Sequence, residues 1–418
     1  MEYFNQYTSE YVRAIQKHYN IYKMRLELLG YYENTIGEIT RDLSVTAQGQ
    51  ININYQPIMR RSCSITMLNV DNKYVPTPDN PFWYERKFKL WIGVVDNIGS
   101  VYWWSQGVFI TQSANTDDNG RTISIEAVDK GGALNGTLGS NLLDTQYVIP
   151  VGTNITKFVR DTLMLSISDT RFSGTLTSAS IKPIDPVPPI IDVKYNNIVT
   201  QAEISVDANN GIGDLFQAIG EGYNADLYYD ISGHFQVCEL TDGKRIDGYK
   251  YMASQWDFRD TDAFYGLANF EYNFSGRNAV TVYTNASGIE NVSYTVYNTN
   301  PSSPIRTELV GIRRMESQEI KYVNVTSGEM SKKCKQYAEY LLIKESMKGI
   351  NVTFNSPLIP HLDVNRTITI TDKSQKFDRE TFIIQSITMP LSAQPMTITA
   401  TSINWLPSDM SMEARYNG

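Results

Sequence analysis

The stretch VYWWSQGVFIT, Val101–Thr111, decides how the chain is read, because it sets two of the six tryptophans side by side. Successive side chains of a strand point to opposite faces, so Trp103 and Trp104 face opposite ways. Tyr102 shares the face of Trp104, and Val101 that of Trp103. This spacing gives no flat two-indole platform for stacking sugars. It predicts one indole inside a core and the other on the outer wall, against a helix, an inserted module or another subunit.

The flanking text has the same period. ININYQ (Ile51–Gln56), SCSITML (Ser62–Leu68), KFKLWIGVV (Lys87–Val95) and RTISIEAVD (Arg121–Asp129) alternate apolar and polar residues and are divided by Pro, Asn, Asp and Gly. Such spacing predicts a closed or nearly closed β-barrel over residues 23–148. NTDDNGR (Asn115–Arg121) lacks the distal Glu of a calcium loop, and Asn119-Gly120 between two strands reads as a hairpin turn. Upstream, Phe4, Tyr7, Tyr11, Ile15, His18 and Tyr19 recur at helical spacing behind Thr8 or Ser9 as cap, which predicts a lead helix within residues 1–22.

The character changes after Pro150. Ile155, Phe158, Val159, Thr162 and Leu163 share a helical face, and a Pro-rich stretch from Pro183 to Pro189 follows. A second short helix in DLFQAIGEGY then leads to a hairpin turning at Ser232-Gly233. Residues 149–252 therefore read as an inserted α/β module. Strand text returns over 253–418, interrupted by an amphipathic helix at 327–346 that carries Met330, Cys334, Ala338 and Leu342. The fold class expected is mainly β with α+β elements: two barrels and an insert.

The 418 residues carry a net charge of −8 and no basic cluster, which argues against a nucleic-acid grip. Arg60-Arg61, Arg313-Arg314 and Lys332-Lys333 are isolated pairs that read as solvated or ion-paired surface. Cys63, Cys238 and Cys334 are odd in number and far apart, as expected of buried thiols rather than a disulfide framework or a zinc site. His18, His234 and His361 stand in three unrelated contexts, and none lies in a nucleophile or metal motif. GIGDLFQAIGEG (Gly211–Gly222) lacks both the third dinucleotide-fold glycine and the Lys-Ser/Thr of a P-loop. No catalytic, cofactor-binding or metal-binding residue is nominated, and the chain is expected not to be an enzyme. Neither a signal peptide nor an apolar run of membrane-spanning length is read, so the chain is expected to be cytosolic when made.

The succession RRSCSITMLN (Arg60–Asn69), PFWYERKFKLWIGV (Pro81–Val94), VYWWSQGVFIT and GRTISIEAVDKGGALNG (Gly120–Gly136) resembles the opening domain of bacteriophage tail hub proteins. LDVNRTITITD (Leu362–Asp372) and RETFIIQSITMPLSAQPMTITA (Arg379–Ala400), after a long helix, resemble their closing barrel. The resemblance implies two tail-tube-like β-barrels per chain and a homotrimer forming a pseudo-hexameric ring in the virion tail or baseplate. The implied neighbours are the tail tube or distal tail protein on one side and the tape-measure protein or tail spike on the other. DNA would pass without specific binding. Tyr7, Tyr11, Trp83, Trp91, Trp103 and Trp104 are the residues expected at subunit contacts. Two other readings stay open: a receptor- or carbohydrate-binding tail protein, and a tail-associated cell-wall or capsule hydrolase, for which the chain after the second barrel is expected to leave no room.

Overall fold

The computed structural model describes residues 8–17, 20–40, 48–83, 86–117, 120–138, 143, 145–164, 183–200, 203–223, 225–239, 254–260, 268–272, 276–284, 292–301, 303–319, 327–346 and 350–402. The first helix, α1 (Ser9–Ile15), is capped by Thr8, whose Oγ1 accepts the Tyr11 N–H at 3.2 Å. Tyr7, Phe4, His18 and Tyr19 lie outside the described residues. The first β group follows: β1 (Tyr22–Leu29), β2 (Thr35–Ile39), β3 (Gln48–Asn54), β4 (Arg61–Leu68), β5 (Lys87–Val95), β6 (Val101–Thr116) and β7 (Thr122–Asp129). The insert holds β8 (Tyr147–Ile149), α2 (Ile155–Met164), β9 (Ile190–Ile191), β10 (Ile204–Val206), α3 (Ile212–Tyr223), β11 (Ala225–Tyr229) and β12 (Phe235–Glu239). The last third holds β13 (Asp257–Arg259), β14 (Ala268–Tyr272), β15 (Ala279–Tyr283), β16 (Ser293–Tyr297), α4 (Thr307–Val310), β17 (Met315–Glu319), α5 (Ser327–Ser346), β18 (Ile350–Ser356), β19 (Thr367–Asp372), β20 (Phe377–Pro390) and β21 (Met396–Ser402).

The fold is mainly β, and the alternation that predicted its strands is the burial pattern they show. In β4 the residues Arg61, Cys63, Ile65 and Met67 are buried while Ser62, Ser64, Thr66 and Leu68 are partly exposed. β6 and β7 pair antiparallel across the segment read as a hairpin turn, where Gly120 sits at φ 65. The two β groups share one 13-stranded sheet in the order β14-β18-β21-β20-β3-β4-β7-β6-β5-β1-β2, with β19 joining β20 to β13. The seam is β20, which pairs with β3 through Ile387 opposite Ile53 and Met389 opposite Ile51. The ladder runs to Pro390 opposite Gln50, and the Leu391 N–H extends it to the Gly49 carbonyl at 2.9 Å. One apolar core runs beneath both groups, from Leu26, Phe88 and Trp104 to Phe258, Phe354 and Ile398.

A second core belongs to the insert, where α2 and α3 cover the sheet β11-β12-β9 with Val159, Leu163, Phe216 and Ile219 against Leu227, Phe235 and Val237. Ile58 and Leu134 reach into it from the first β group. A third, small core lies between α5 and the sheet β16-β15-β17, where Met330, Cys334, Ala338 and Leu342 meet Val280 and Val282. The long helix thus packs on a sheet of its own and not on the large one. No helix among the described residues is long and apolar enough to cross a membrane.

Candidate functional site, a buried joint between three parts of the chain

The stretch that opens the sequence reading is where the parts meet. Opposite β5 the register of β6 slips between Leu90 and Trp91: Leu90 faces Gly107 and Trp91 faces Ser105, leaving Gln106 as the extra residue of a bulge. Gly107, at φ 132, supplies a backbone conformation that L side chains rarely adopt, and its bare Cα leaves space for the Arg61 stem. The bulge aims consecutive side chains at different segments. Ser105 Oγ donates to the Ile231 carbonyl of the insert at 2.6 Å. Gln106 Nε2 donates to the Pro360 carbonyl of the last third at 3.0 Å. The Trp104 indole lies 5.2 Å from the Tyr11 ring of α1 and 5.5 Å from the His361 ring. Tyr11 Oη and His361 Nδ1 are 2.8 Å apart, and His361 Nε2 is 3.2 Å from the Gln255 carbonyl. A carbonyl only accepts, so Nε2 carries the proton, and Nδ1 accepts from the tyrosine. Burial lowers the His361 pKa to about 4, so the imidazole is neutral.

Beneath the bulge lies a chain of buried charges. The Arg60 guanidinium, 4% exposed, is held by Asp226 of β11 at 2.6 and 2.7 Å and lies 3.6 Å from the Tyr228 ring centroid. Burial opposes its charge, but Asp226, followed by Tyr228 and Tyr55, raises its pKa above the ordinary value. Arg61 points the other way, to Asp363 at 2.6 Å and to the Tyr229 carbonyl at 3.2 Å. Asp129 fixes both arginines from behind: one carboxylate oxygen accepts the N–H groups of Arg60 and Arg61, each at 2.7 Å, and the other accepts that of Gly131 at 2.9 Å. Burial still raises its pKa to about 6, against the pull of Arg61 and of the three N–H groups.

Lys130 continues the chain. Its Nζ meets Glu33 at 2.6 Å, Asp185 at 2.8 Å and the Gly233 carbonyl at 2.7 Å. Glu33 also holds Lys87 at 2.8 Å. The Lys87 pKa is lowered, chiefly by burial and then by repulsion from Lys130, with Glu33 opposing both. Tyr31 Oη adds a bond to the Pro183 carbonyl. The Pro-rich stretch of the insert is thereby tied to the β1–β2 turn and to the segment after β7. Such an arrangement is suited to holding elements in one relative position. Among the described residues no group of three or more His, Cys, Asp or Glu is placed to hold a metal ion.

The residues nominated for subunit contact divide. Tyr11 and Trp104 are buried inside this chain, at 0% and 4% exposure, and their partners are the chain's own α1 and His361. Trp91 and Trp103 lie on the opposite face and are half-buried, and the Arg25 guanidinium sits 4.8 Å from each ring centroid. Trp103 runs across Gly93, where a Cβ would come within 2.9 Å of the indole. Trp83 is half-buried, away from that pair, in the segment before β5. The reading of Arg60-Arg61 as surface is corrected: both are buried, because carboxylates from the insert and the last third reach them. Asp129, Lys130, Glu33 and Asp185 went unnominated. Their one local signal is the glycine pair after Asp129-Lys130: a Cβ on Gly131 would stand 2.7 Å from Met59 Cα, a mark of close backbone approach.

A protein-family model, Domain of unknown function (DUF5048), matches residues 303–408. No curated protein matches the chain. Among solved structures, the tail protein from Neisseria meningitidis MC58 is similar with a TM-score of 0.55 and 11% identity, over 93% of this chain and 98% of that one. The prophage MuSo2 43 kDa tail protein from Shewanella oneidensis is similar with a TM-score of 0.54 and 11% identity, over 92% and 99%. A chain of the lidless PdpA–VgrG complex gives a TM-score of 0.51 and 11% identity, over 94% of this chain and 66% of that one. The resemblance read from the strand succession is borne out at the level of fold: this chain is built like these tail proteins along nearly its whole length.

Proposed function

We propose that the chain is a structural, non-enzymatic protein of a bacteriophage virion tail, a hub subunit. In this reading three copies form a pseudo-hexameric ring between the six-fold tail tube or distal tail protein and the tail tip, where the tape-measure protein or a spike is seated. The ring lines the path of the DNA, and a net charge of −8 suits a passage to which phosphates do not adhere. The observation that carries the reading is the likeness in fold to two tail proteins over nearly the full length of each. The buried joint supports it, since a load-transmitting ring needs its insert and both β groups in one fixed relation. The half-buried Trp83, Trp91 and Trp103 are the aromatic residues left for contacts between subunits.

The test is the mass of the purified protein by light scattering, followed by averaged electron images. Rings of three chains with six lobes around a channel are expected. A stable monomer that binds glycans or cell surfaces would refute the hub and favour a receptor-binding protein.

A further inference from the structure

The small module around α5 carries an apolar knob that the function above does not use. In TELVGIRRME (Thr307–Glu316) Leu309 is 58% exposed, Ile312 65% and Met315 49%. Exposed apolar residues on a loose tip mean little, but this segment is built to a fixed shape. Asn278, 1% exposed, donates from Nδ2 to the Ile312 carbonyl at 2.9 Å and accepts the Arg314 N–H on Oδ1 at 2.8 Å. Asn298, fully buried, donates to Ser303 Oγ at 2.9 Å, and its carbonyl accepts the Thr307 N–H at 3.2 Å. Gly311 closes the one-turn helix α4 in the left-handed region at φ 70. Buried asparagines thus hold in place a segment whose outward side is apolar, which lowers the ordering cost of docking it.

The charges indicate what docks. Arg313 and Arg314 are exposed beside the knob, and Arg313 lies 5.1 Å from the Tyr297 ring centroid. Residues 276–346 contain nine Lys and Arg against seven Asp and Glu, a net charge of +2. The whole chain carries −8, so the remainder carries −10. The electrostatic complement of this module is the rest of another copy.

We propose that the knob is a contact surface for a second copy of the chain. Leu309, Ile312 and Met315 enter an apolar recess of the neighbour, and Arg313 and Arg314 meet its carboxylates. A knob and the surface that receives it are different patches, so the contact is head-to-tail, the kind that closes into a ring when the rotation permits. The inference rests on the reading of the chain as a self-assembling ring subunit.

The test is sedimentation of the full chain as wild type, as Leu309→Asp/Ile312→Asp and as Arg313→Glu/Arg314→Glu, with circular dichroism to follow the fold. The residues are exposed, so little loss of fold is expected, and the arginine variant carries the test if the other misfolds. Assembly weaker by at least about tenfold in each variant is expected, with wild-type assembly weakening as salt rises. Variants that assemble like wild type would refute the knob and leave the ring standing. A wild type that stays monomeric at tens of micromolar would refute the ring, and this contact with it. Binding to phosphatidylglycerol vesicles that the aspartate variant loses, with assembly unchanged, would assign the knob to a membrane and overturn the proposal.

Discussion

Lys130→Met is the substitution that tests the buried joint most directly. It keeps the length of the aliphatic stem and removes the ammonium group, with the charge that Glu33 and Asp185 surround and the donor to the Gly233 carbonyl. Glu33 retains Lys87 at 2.8 Å, but Asp185, 1% exposed, loses its cation. A buried carboxylate stripped of its partner typically costs about 3–5 kcal/mol. The size of the thermal shift then shows what melts. A cooperative unit of all 418 residues has an unfolding entropy of about 0.9 kcal/mol/K, so the loss lowers Tm by roughly 3–6 °C. If the insert melts alone, an entropy of about 0.2 kcal/mol/K for roughly 100 residues gives a fall of about 15–25 °C.

Scanning calorimetry of wild type, Lys130→Met and the double variant Lys130→Met/Asp185→Asn separates the joint from general damage to packing. The amide oxygen introduced by Asp185→Asn would still accept the Val187 N–H, which Asp185 Oδ1 now accepts at 3.0 Å, while the stranded charge is gone. The double variant is therefore expected to recover at least half of the loss. A single variant within about 1 kcal/mol of wild type, or a double variant no better than the single, would refute the claim that this network holds the insert.

The pH response has two opposing parts. His361 contributes stability that is full above its ordinary value of 6.5 and is lost as pH falls through about 4, a swing of about 3 kcal/mol. Asp129 does the reverse: its contribution is full below 3.8 and is lost as pH rises through about 6, again about 3 kcal/mol. Between pH 6.5 and 4 the two largely cancel, so relative to wild type Asp129→Asn is expected to lose stability on acidification and His361→Gln to gain it; parallel melting curves across that range would contradict both assignments. Gly131→Ala puts a Cβ against the Ile58 carbonyl and 2.7 Å from Met59 Cα and should prevent stable folding. Gly152→Ala, at φ 84 but facing open space, should lower stability by only about 1 kcal/mol, and equal effects in urea titrations would show that close approach is not the cause. Trp104→Ala should cost about 3–5 kcal/mol, because the indole fills the core under α1, whereas Trp103→Ala should cost less; the reverse order in the same titrations would overturn the assignment of faces.

How much of this was legible depends on how far apart the partners stand in the chain. Alternation in SCSITML is local, and it becomes the in-and-out burial of β4. The opposed faces of Trp103 and Trp104 follow from backbone geometry alone, so they too could be read. The seam between the β groups could not be read. Ile51 and Ile53 look the same whether their neighbour is a nearby hairpin or β20, more than 300 residues further on, and only the folded chain makes that choice. Arg60 and Arg61 show the same limit from the side of charge. An adjacent pair of arginines is ordinarily solvated, and what buries these two is the arrival of Asp226 and Asp363 from 166 and 302 residues away.

The joint's polarity has a consequence that an apolar seam would lack. An apolar seam can shift by two residues and still bury the same face, since its contacts are not directional. Arg60 and Arg61 tolerate no shift. They are adjacent, they leave the backbone in opposite directions, and each ends on a carboxylate of a different segment. Asp129 pins both backbones through one oxygen atom, so neither arginine can shift without releasing the other. Placing β11 of the insert against Arg60 therefore also sets where Asp363 must lie. The joint thus fixes the insert, the first β group and the last third in one relation, which is the condition the proposed ring would need for identical copies to meet their neighbours at the same angle each time.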